Sequence, residues 1–168
     1  MRARSRPFQV VRRRLLFRGR VVRATVIRHP KSVVLLPLLP GRRVVLIRQF
    51  RAAIERFIHE IPAGTTEPGE GVLACCRREL AEETGYRASR YTFIGRFFPA
   101  PGVSTEEMFL YRAEGLTVLA HPPAKDADEL ITPRIVTAAE ALRMVRDGRI
   151  RDAKTMLGIT FGLGRVRW

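Results

Sequence analysis

Three glutamates stand close together near the middle of the sequence, in the stretch GTTEPGEGVLACCRRELAEETGY. If this stretch is helical, Glu79 and Glu83 lie one turn apart with Glu82 beside them, and their carboxylates lie within roughly 5–6 Å of each other. Like charges at that spacing are unfavourable unless a cation lies among them. The cation is either a bound metal ion or Arg78, which stands four residues before Glu82 on a charged helix face.

The residues around this cluster form a longer pattern. Gly64 is followed after five residues by Glu70 and, after seven more, by RELAEETG at residues 78–85. Position for position, this spacing resembles the signature of the Nudix hydrolases. The flanking segments RQFRAAIERFIHEIPAG and PAPGVSTEEMFLY are similar to the Q-x-R, E-x-P-A-G and P-G-x-x-x-E motifs of the ADP-ribose pyrophosphatase branch. The order of predicted elements is also similar, from about His29 to Gly162.

The chemistry of this family explains the crowding of the glutamates. Hydrolysis of a pyrophosphate needs its negative charge neutralised and a water molecule activated, and Mg²⁺ held by oxygen ligands does both. The resemblance implies that the carbonyl of Ala63 and the carboxylates of Glu79 and Glu83 ligate Mg²⁺, for which Mn²⁺ is a substitute. It further implies that Glu82 supports these ligands and that Arg78 orients the carboxylates.

A general base for the attacking water is expected in the loop that follows the helix. Glu106 is the fourth residue after the Pro101-Gly102 pair. It matches the loop glutamate of the family, which binds metal or accepts a proton from the attacking water. Its neighbour Glu107 is the alternative if the register is shifted by one residue.

Two residues before the glutamate cluster resemble substrate-binding groups of the family. Arg51 matches an arginine that contacts the substrate pyrophosphate in relatives, and a guanidinium fork suits phosphate oxygens. Glu60 matches the acid of the E-x-P-A-G motif. Because the chain is rich in arginine, a solvated surface group is the alternative interpretation of Arg51. The histidines at positions 29, 59 and 121 lack a metal-ligand spacing and are interpreted as structural or surface groups.

The apolar pattern predicts the elements that position these groups. Between residues 8 and 50, β-branched runs alternate with turn signals and predict the strands FQVV, RLLFRG, VVRATVIRH, SVVLLPLL and RVVLIRQF. Residues 71–84 change to a helical period. The extended runs RYTFIGRFF, EMFLYRAE and ELITPRIVT precede a helix capped by Thr137 and Glu140 and a closing helix in DAKTMLGITFGLG. The predicted fold class is α/β (α+β), a Nudix-like mixed β-sheet sandwiched between helices.

Length and charge suggest one domain with a basic beginning. The predicted domain covers residues 1–168, with a basic β segment over residues 1–32 and a catalytic core over residues 33–168. The formal net charge is +15, and Lys or Arg occupies 15 positions before the first acidic residue, Glu55. The basic segment is interpreted as a dimerisation element by resemblance to the family. A nucleic-acid-binding surface is the alternative.

The sequence also predicts a compartment. The apolar run VVLLPLLP is far shorter than the about 20 residues that a membrane-spanning helix needs, so no membrane partner is expected. Cys75 and Cys76 are neighbours in the predicted helix, a poor arrangement for a disulfide, which favours a reducing cytoplasm. An organelle transit peptide is the alternative interpretation of the arginine-rich start, but its Val/Phe-rich segments with a Gly turn favour edge strands.

We therefore expect a Mg²⁺-dependent homodimeric enzyme that hydrolyses the pyrophosphate bond of ADP-ribose or a related nucleoside diphosphate sugar, giving AMP and a sugar phosphate. One alternative is a Nudix hydrolase of other specificity, acting on RNA 5′ ends or dinucleoside polyphosphates. Another is a basic nucleic-acid-binding module. Nucleic acid is not the favoured partner, because the basic segment lacks the aromatic motif of an RNA-recognition sheet.

Overall fold

A computed structural model of the protein describes residues 8–123 and 130–164. Nine strands, a 3₁₀ turn and three helices follow one another along these residues. They are β1 (Gln9–Phe17), β2 (Arg20–Arg28), β3 (Ser32–Leu39), β4 (Arg43–Arg51), the 3₁₀ turn (Ala52–Ile54), β5 (Arg56–Glu60), β6 (Ala63–Thr65), α1 (Val72–Thr84), β7 (Tyr86–Phe97), β8 (Met108–Val118), β9 (Ile131–Thr137), α2 (Ala138–Arg146) and α3 (Ala153–Gly162).

β1 and β2 form a two-stranded antiparallel hairpin outside the main sheet. Arg18 and Gly19 connect the strands with positive φ angles of 48° and 72°, as a tight type I′ turn requires. The sequence predicts two strands, FQVV and RLLFRG, where the structure has one strand over Gln9–Phe17. No Gly, Pro, Asn or Asp interrupts this run before Gly19, so the pairing with β2 continues unbroken.

The other seven strands form one mixed sheet with β3 at its centre. The order along the sheet is β5-β4-β3-β8-β7, with β6 paired to β3 and β9 paired to β4. β3 runs parallel to β8 and antiparallel to β4 and β6. The residues of β3 from Ser32 to Pro37 are buried, as expected for a strand covered on both faces.

Helices cover both faces of this sheet. Val33 and Leu35 of β3 belong to one core, and Val34 and Leu36 belong to the other. Helix α1 completes the first core with Cys75, Cys76 and Leu80. Helices α2 and α3 complete the second core with Ala138, Ala141, Met144 and Ile159. The predicted arrangement of a mixed sheet between helices is therefore confirmed.

Local sequence signals account for the ends of the helices. Helix α1 ends at Gly85, whose φ of 73° lets its N–H bond the carbonyl of Ala81 at 2.9 Å. Helix α2 begins at the predicted cap, because the side chain of Thr137 accepts a hydrogen bond from the N–H of Glu140 at 3.1 Å. No helix in the described part of the chain is long and apolar enough to span a membrane.

Short elements differ from the expectation. Residues 63–65 belong to none of the predicted strands, but they pair with Ser32–Val34 as strand β6. Glu55 adopts a left-handed φ of 53° after the 3₁₀ turn and so directs the chain into β5. The run ELITPRIVT is predicted to begin at Glu129, which lies outside the described residues, and the observed strand β9 is Ile131–Thr137. Segments this short depend on their partners, so their own sequence carries little signal.

Helix α3 packs closely against the sheet through two glycines. A Cβ added to Gly158 would overlap the Cδ1 atom of Ile61, and one added to Gly162 would overlap Cδ2 of Leu36. Ile61 immediately precedes the Pro62-Ala63-Gly64 segment. The glycine contacts therefore bring α3 next to the part of the chain that carries the expected site.

Candidate active site

Arg78 of α1 donates hydrogen bonds to three carboxylates at once. Its Nε and Nη2 each lie 2.9 Å from an oxygen of Glu70, as a bidentate pair. Its Nη1 donates to Glu79 at 2.6 Å and to Glu82 at 3.1 Å. Its Nη2 also donates to the carbonyl of Thr65 on β6 at 3.0 Å. The Arg78–Glu82 ion pair expected from the sequence is therefore present within α1, and the bond to Thr65 joins α1 to β6.

These contacts keep the cluster charged. The hydrogen bond from Arg78 lowers the pKa of Glu70 to about 2, and the N–H of Glu67, which donates to Glu70 at 2.9 Å, acts in the same direction. In return, the hydrogen bond to Glu70 and the negative charge of Glu79 raise the pKa of Arg78. The guanidinium is therefore a permanent cation at the base of the glutamate cluster.

Glu79 and Glu83 lie against strand β6 and are nearly buried, with 9% and 3% of their surfaces exposed. The N–H of Ala63 donates to Oε2 of Glu83 at 2.9 Å. A Cβ added to Gly64 would overlap the carboxyl group of Glu79, so glycine is needed for this close approach. The structure thus brings together the two carboxylates and the backbone segment that the sequence assigns to a metal.

The donors in this place fit a hard divalent cation. The carboxylates of Glu79 and Glu83 and the backbone carbonyls of β6 are oxygen ligands, which Mg²⁺ prefers. Cys75 and Cys76 are free thiols on the same helix, and burial raises the pKa of both, that of Cys76 to about 12, which favours the protonated thiols. Among the described residues, no three His, Cys, Asp or Glu side chains form a ready-made metal cluster. The role of the Ala63 carbonyl stays a prediction.

The two glutamates of the loop before β8 have different neighbours. The Oγ of Ser32 donates to Oε1 of Glu106 at 2.6 Å. Glu107 instead forms an ion pair with Arg96 of β7 at 3.2 Å. Ser32 pairs in register with Thr65 of β6. Glu106 therefore contacts the start of β3, next to β6, whereas Glu107 is held by β7, which favours Glu106 over Glu107 as the loop base.

The base of the hairpin fixes the loop that carries Glu106. Ile27 of β2 donates its N–H to the carbonyl of Val103 at 2.7 Å and accepts a hydrogen bond from the N–H of Thr105 at 2.9 Å. The Oγ1 of Thr105 accepts a hydrogen bond from the N–H of His29 at 2.9 Å. The hairpin and the loop are therefore connected by backbone bonds next to Glu106.

Arg51 and Lys154 share the carboxylate of Glu60. Arg51 donates its Nε and Nη2 to the two oxygens of Glu60 at 2.6 and 2.7 Å, and the Nζ of Lys154 contacts the second oxygen. Burial opposes the ionisation of Glu60, but the two cations outweigh it and lower its pKa. The Glu60 side chain is 1% exposed, whereas that of Arg51 is 39% exposed. Glu60 thus holds the two cations and leaves Arg51 accessible.

This second network is connected to the glutamate cluster. The hydrogen bond to Glu60 raises the pKa of Arg51, and the negative charge of Glu83 acts in the same direction. The Oγ1 of Thr155 on α3 accepts a hydrogen bond from the N–H of Ile61 at 2.9 Å. Arg51 therefore lies in the electrostatic field of α1, and α3 holds the segment between Glu60 and β6.

The sequence does not mark Ser32 or Lys154 as parts of the site. Lys154 is one of only three lysines in an arginine-rich chain, a rarity that could have drawn attention to it. Ser32 carries no such signal, because a serine at the start of an apolar strand is ordinary.

His29, interpreted as a structural or surface group, has its Nδ1 3.6 Å from Oε1 of Glu106. Burial lowers the pKa of His59.

Replacing Glu70 by Gln tests the ion pair with Arg78. Because the pKa of Glu70 is lowered to about 2, its stabilising contribution is present above its ordinary pKa, roughly 4.5, and is lost as the pH falls toward 2. We expect Glu70→Gln to lower the Tm at neutral pH and the difference from wild type to narrow below about pH 4.5. Thermal unfolding followed by circular dichroism in EDTA measures both.

The exposed Glu55 provides the matched control. Glu55→Gln should give a Tm close to that of wild type at every pH. A Glu70→Gln defect of the same size at neutral and at acidic pH would show that the carboxylate charge does not stabilise the fold.

Comparison with known proteins identifies the family. The NUDIX domain model matches residues 28–157. The chain is 36% identical over 143 residues to the ADP-ribose pyrophosphatase of Bacillus subtilis (strain 168), and the aligned region covers 85% of this chain and 77% of that relative. It is 36% identical over 147 residues to the GDP-mannose pyrophosphatase of Cronobacter sakazakii (strain ATCC BAA-894), and the aligned region covers 79% of this chain and 76% of that relative.

The fold leads to the same conclusion. The structure is similar to a solved crystal structure of an ADP compounds hydrolase, with a TM-score of 0.77 and 26% sequence identity. The similarity covers 98% of this chain and 92% of that one. The residues matched by the NUDIX model include β6, α1 and the loop that carries Glu106. In sequence and in fold, this chain belongs to the Nudix family.

Proposed function

We propose that this protein hydrolyses the pyrophosphate bond of ADP-ribose or a related nucleoside diphosphate sugar, with Mg²⁺, or Mn²⁺ in its place, as the metal. ADP-ribose would give AMP and a sugar phosphate. The observation that carries the proposal is the packing of Glu79 and Glu83 against β6, with Arg78 ordering the carboxylates. The names of the relatives, an ADP-ribose pyrophosphatase and a GDP-mannose pyrophosphatase, support the substrate class.

In this proposal, the Ala63 carbonyl and the carboxylates of Glu79 and Glu83 hold the cation. When bound, Mg²⁺ supplies positive charge to the phosphoryl oxygens and makes a water molecule easier to deprotonate. Arg78 holds the carboxylate of Glu79 at 2.6 Å, and Glu82 supports this arrangement by binding the same guanidinium nitrogen.

Glu106 is the proposed general base. Its carboxylate accepts a proton from the attacking water. The water oxygen forms a bond to one phosphorus, the bridging P–O bond breaks, and the bridging oxygen leaves with the other phosphate group. No covalent bond between enzyme and substrate is needed. The contact of Glu107 with Arg96 leaves Glu106 as the loop glutamate next to β6.

Arg51 is the proposed contact for the substrate pyrophosphate. Its side chain is 39% exposed and its guanidinium is oriented by Glu60 through two hydrogen bonds. Glu60 is proposed to bind the substrate through the cations it orients, since its own carboxylate is buried. Lys154 shares that carboxylate and adds a second positive charge behind Arg51.

We also propose a homodimer in the cytoplasm, built from a single domain over residues 1–168 with a core over residues 33–168. The segment 1–32 includes the hairpin, which exposes apolar side chains beside its arginines. Leu15, Phe17 and Val22 lie on one of its faces with 52%, 63% and 45% of their surfaces exposed. Such an apolar face favours a protein–protein interface over a nucleic-acid-binding surface.

The function is tested by a substrate panel with Glu83→Gln beside wild type. The panel contains ADP-ribose, GDP-mannose, a dinucleoside polyphosphate, NADH and 5′-triphosphorylated RNA, each with Mg²⁺ and with EDTA. We expect Mg²⁺-dependent release of AMP from ADP-ribose, and loss of most of this turnover in Glu83→Gln because a buried carboxylate has been neutralised. Chromatography of the products measures both effects.

Glu140→Gln on α2 is the control, because its carboxylate pairs only with the half-exposed Arg134 among the described residues. It should leave turnover close to wild type. Processing of RNA with every nucleotide sugar intact would overturn the substrate class. Undiminished turnover by Glu83→Gln would overturn the site.

The dimer is tested by placing charge on the apolar face of the hairpin. The double variant Leu15→Asp/Phe17→Asp should dissociate the dimer, because burying two carboxylates in the subunit interface is unfavourable. Val118→Asp is the control, since Val118, at the end of β8, is an apolar side chain outside the hairpin with 73% of its surface exposed. Sedimentation velocity should show dimers for wild type and Val118→Asp and monomers for the double variant. A monomeric wild type would contradict the proposal.

A further inference from the structure

Ser32 lies where two parts of the proposed site meet. It is the first residue of β3 and only 2% exposed. In register, it stands between Thr65 on β6 and Met108 on β8. β6 is the strand against which Glu79 and Glu83 pack, and β8 begins two residues after Glu106. One buried hydroxyl is thus placed between the metal-binding segment and the loop base.

The Ser32 hydroxyl bonds Glu106 in preference to its other neighbour. Its Oγ lies 2.6 Å from Oε1 of Glu106 and 3.4 Å from Oγ1 of Thr65. The shorter distance is typical of a hydroxyl that donates to an ionised carboxylate, whereas the longer one exceeds the usual range for two hydroxyls. The N–H of Ser32 also bonds the carbonyl of Glu107 at 3.0 Å. Ser32 therefore fixes both the backbone and the carboxylate of this loop.

The other described groups around Glu106 form no side-chain hydrogen bond to its carboxylate. The Nδ1 of His29 is 3.6 Å from Oε1 of Glu106, beyond hydrogen-bond range. Ser104 accepts from the backbone N–H of Glu106 and does not touch its carboxylate. Within the described residues, the Ser32 hydroxyl donates the one side-chain hydrogen bond that this carboxylate accepts.

We propose that Ser32 is a positioning residue for the reaction, which orients the carboxylate of Glu106 toward the attacking water through the Oγ–Oε1 hydrogen bond. The inference rests on the proposed function of Glu106. A glutamate side chain has three rotatable bonds, and the hydroxyl selects one arrangement before the substrate binds. Loss of the hydroxyl therefore slows the chemical step and leaves substrate binding unchanged.

The test compares Ser32→Thr with Ser32→Val. Both residues are β-branched and alike in shape, and only threonine keeps the hydroxyl. With ADP-ribose and Mg²⁺, we expect Ser32→Val to lower kcat by about 10- to 100-fold, because a hydrogen bond to a charged group is lost. Its KM should stay within about threefold of wild type, and Ser32→Thr should keep kcat within about threefold.

Two further variants separate positioning from packing. Ser32→Ala removes the hydroxyl without adding bulk and should lose kcat as Ser32→Val does. Thr117→Val, which removes an exposed hydroxyl on β8 that bonds Arg87, should leave kcat unchanged. If threonine and valine both lower kcat while alanine does not, the effect is crowding and the proposal is overturned. Equal kcat values for all three Ser32 variants and wild type overturn it as well.

A double-mutant cycle with Glu106→Gln separates this inference from the function on which it rests. If Ser32 acts through Glu106, adding Ser32→Val to Glu106→Gln should lower kcat no further. If the kcat losses of the two single variants multiply in the double variant, Ser32 acts elsewhere and the inference is overturned. A Glu106→Gln variant with wild-type turnover would instead overturn the proposed role of Glu106. Loss of turnover in Glu106→Gln with full turnover in Ser32→Val would overturn the Ser32 inference alone.

Discussion

The ion pairing of Arg78 is the interaction on which the site depends. Its guanidinium binds Glu70 ahead of α1, Glu79 and Glu82 on α1, and a carbonyl of β6. Partly buried charges are unfavourable unless each is compensated, so this residue makes the close packing of helix and strand tolerable. Three carboxylates bind this guanidinium, and Glu83, one helical turn from Glu79, adds a fourth to the cluster. By formal charge, four carboxylates and one guanidinium leave an excess of three negative charges. In a chain of net charge +15, a local excess of negative charge fits the binding of a cation.

Strand β3 connects the glutamate cluster to the rest of the fold. Its alternate side chains belong to the two cores, so helices on both faces hold it rigidly. Its first residues pair with β6 on one side and β8 on the other, so that one strand positions both the proposed metal-binding segment and the Glu106 loop. Catalytic groups on regular elements are positioned more accurately than groups on free loops. The second network, Arg51 with Glu60 and Lys154, is held by α3 in the same way.

The parts of the fold that are specified locally are predictable from the sequence. Helix α1 is recognisable from its apolar period and its Gly85 stop, and α2 from the Thr137 cap, because neighbouring residues supply these signals. The clustering of Glu79, Glu82 and Glu83 follows directly from the helical repeat. The family resemblance adds the loop glutamate, and the separate contacts of Glu106 and Glu107 give a physical reason to prefer the first.

Features that depend on distant residues are not predictable in this way. Ser32 and Glu106 are 74 positions apart, and Lys154 and Glu60 are 94 positions apart, so no local pattern connects them. Strand β6 has three residues and exists because β3 offers it a partner. The arginines between the apolar runs FQVV and RLLFRG suggest two short strands. Pairing with β2 makes them one continuous strand, β1. Long-range pairing, more than residue type, decides these parts of the structure.

We propose that the glutamates of α1 are crowded against β6 because they hold a divalent cation. Anomalous diffraction at the manganese edge, from crystals grown with Mn²⁺, locates such an ion independently of activity. We predict a peak in contact with the carboxylates of Glu79 and Glu83, next to β6. No peak at a Mn²⁺ concentration that supports turnover, or a peak away from both carboxylates, would contradict the claim.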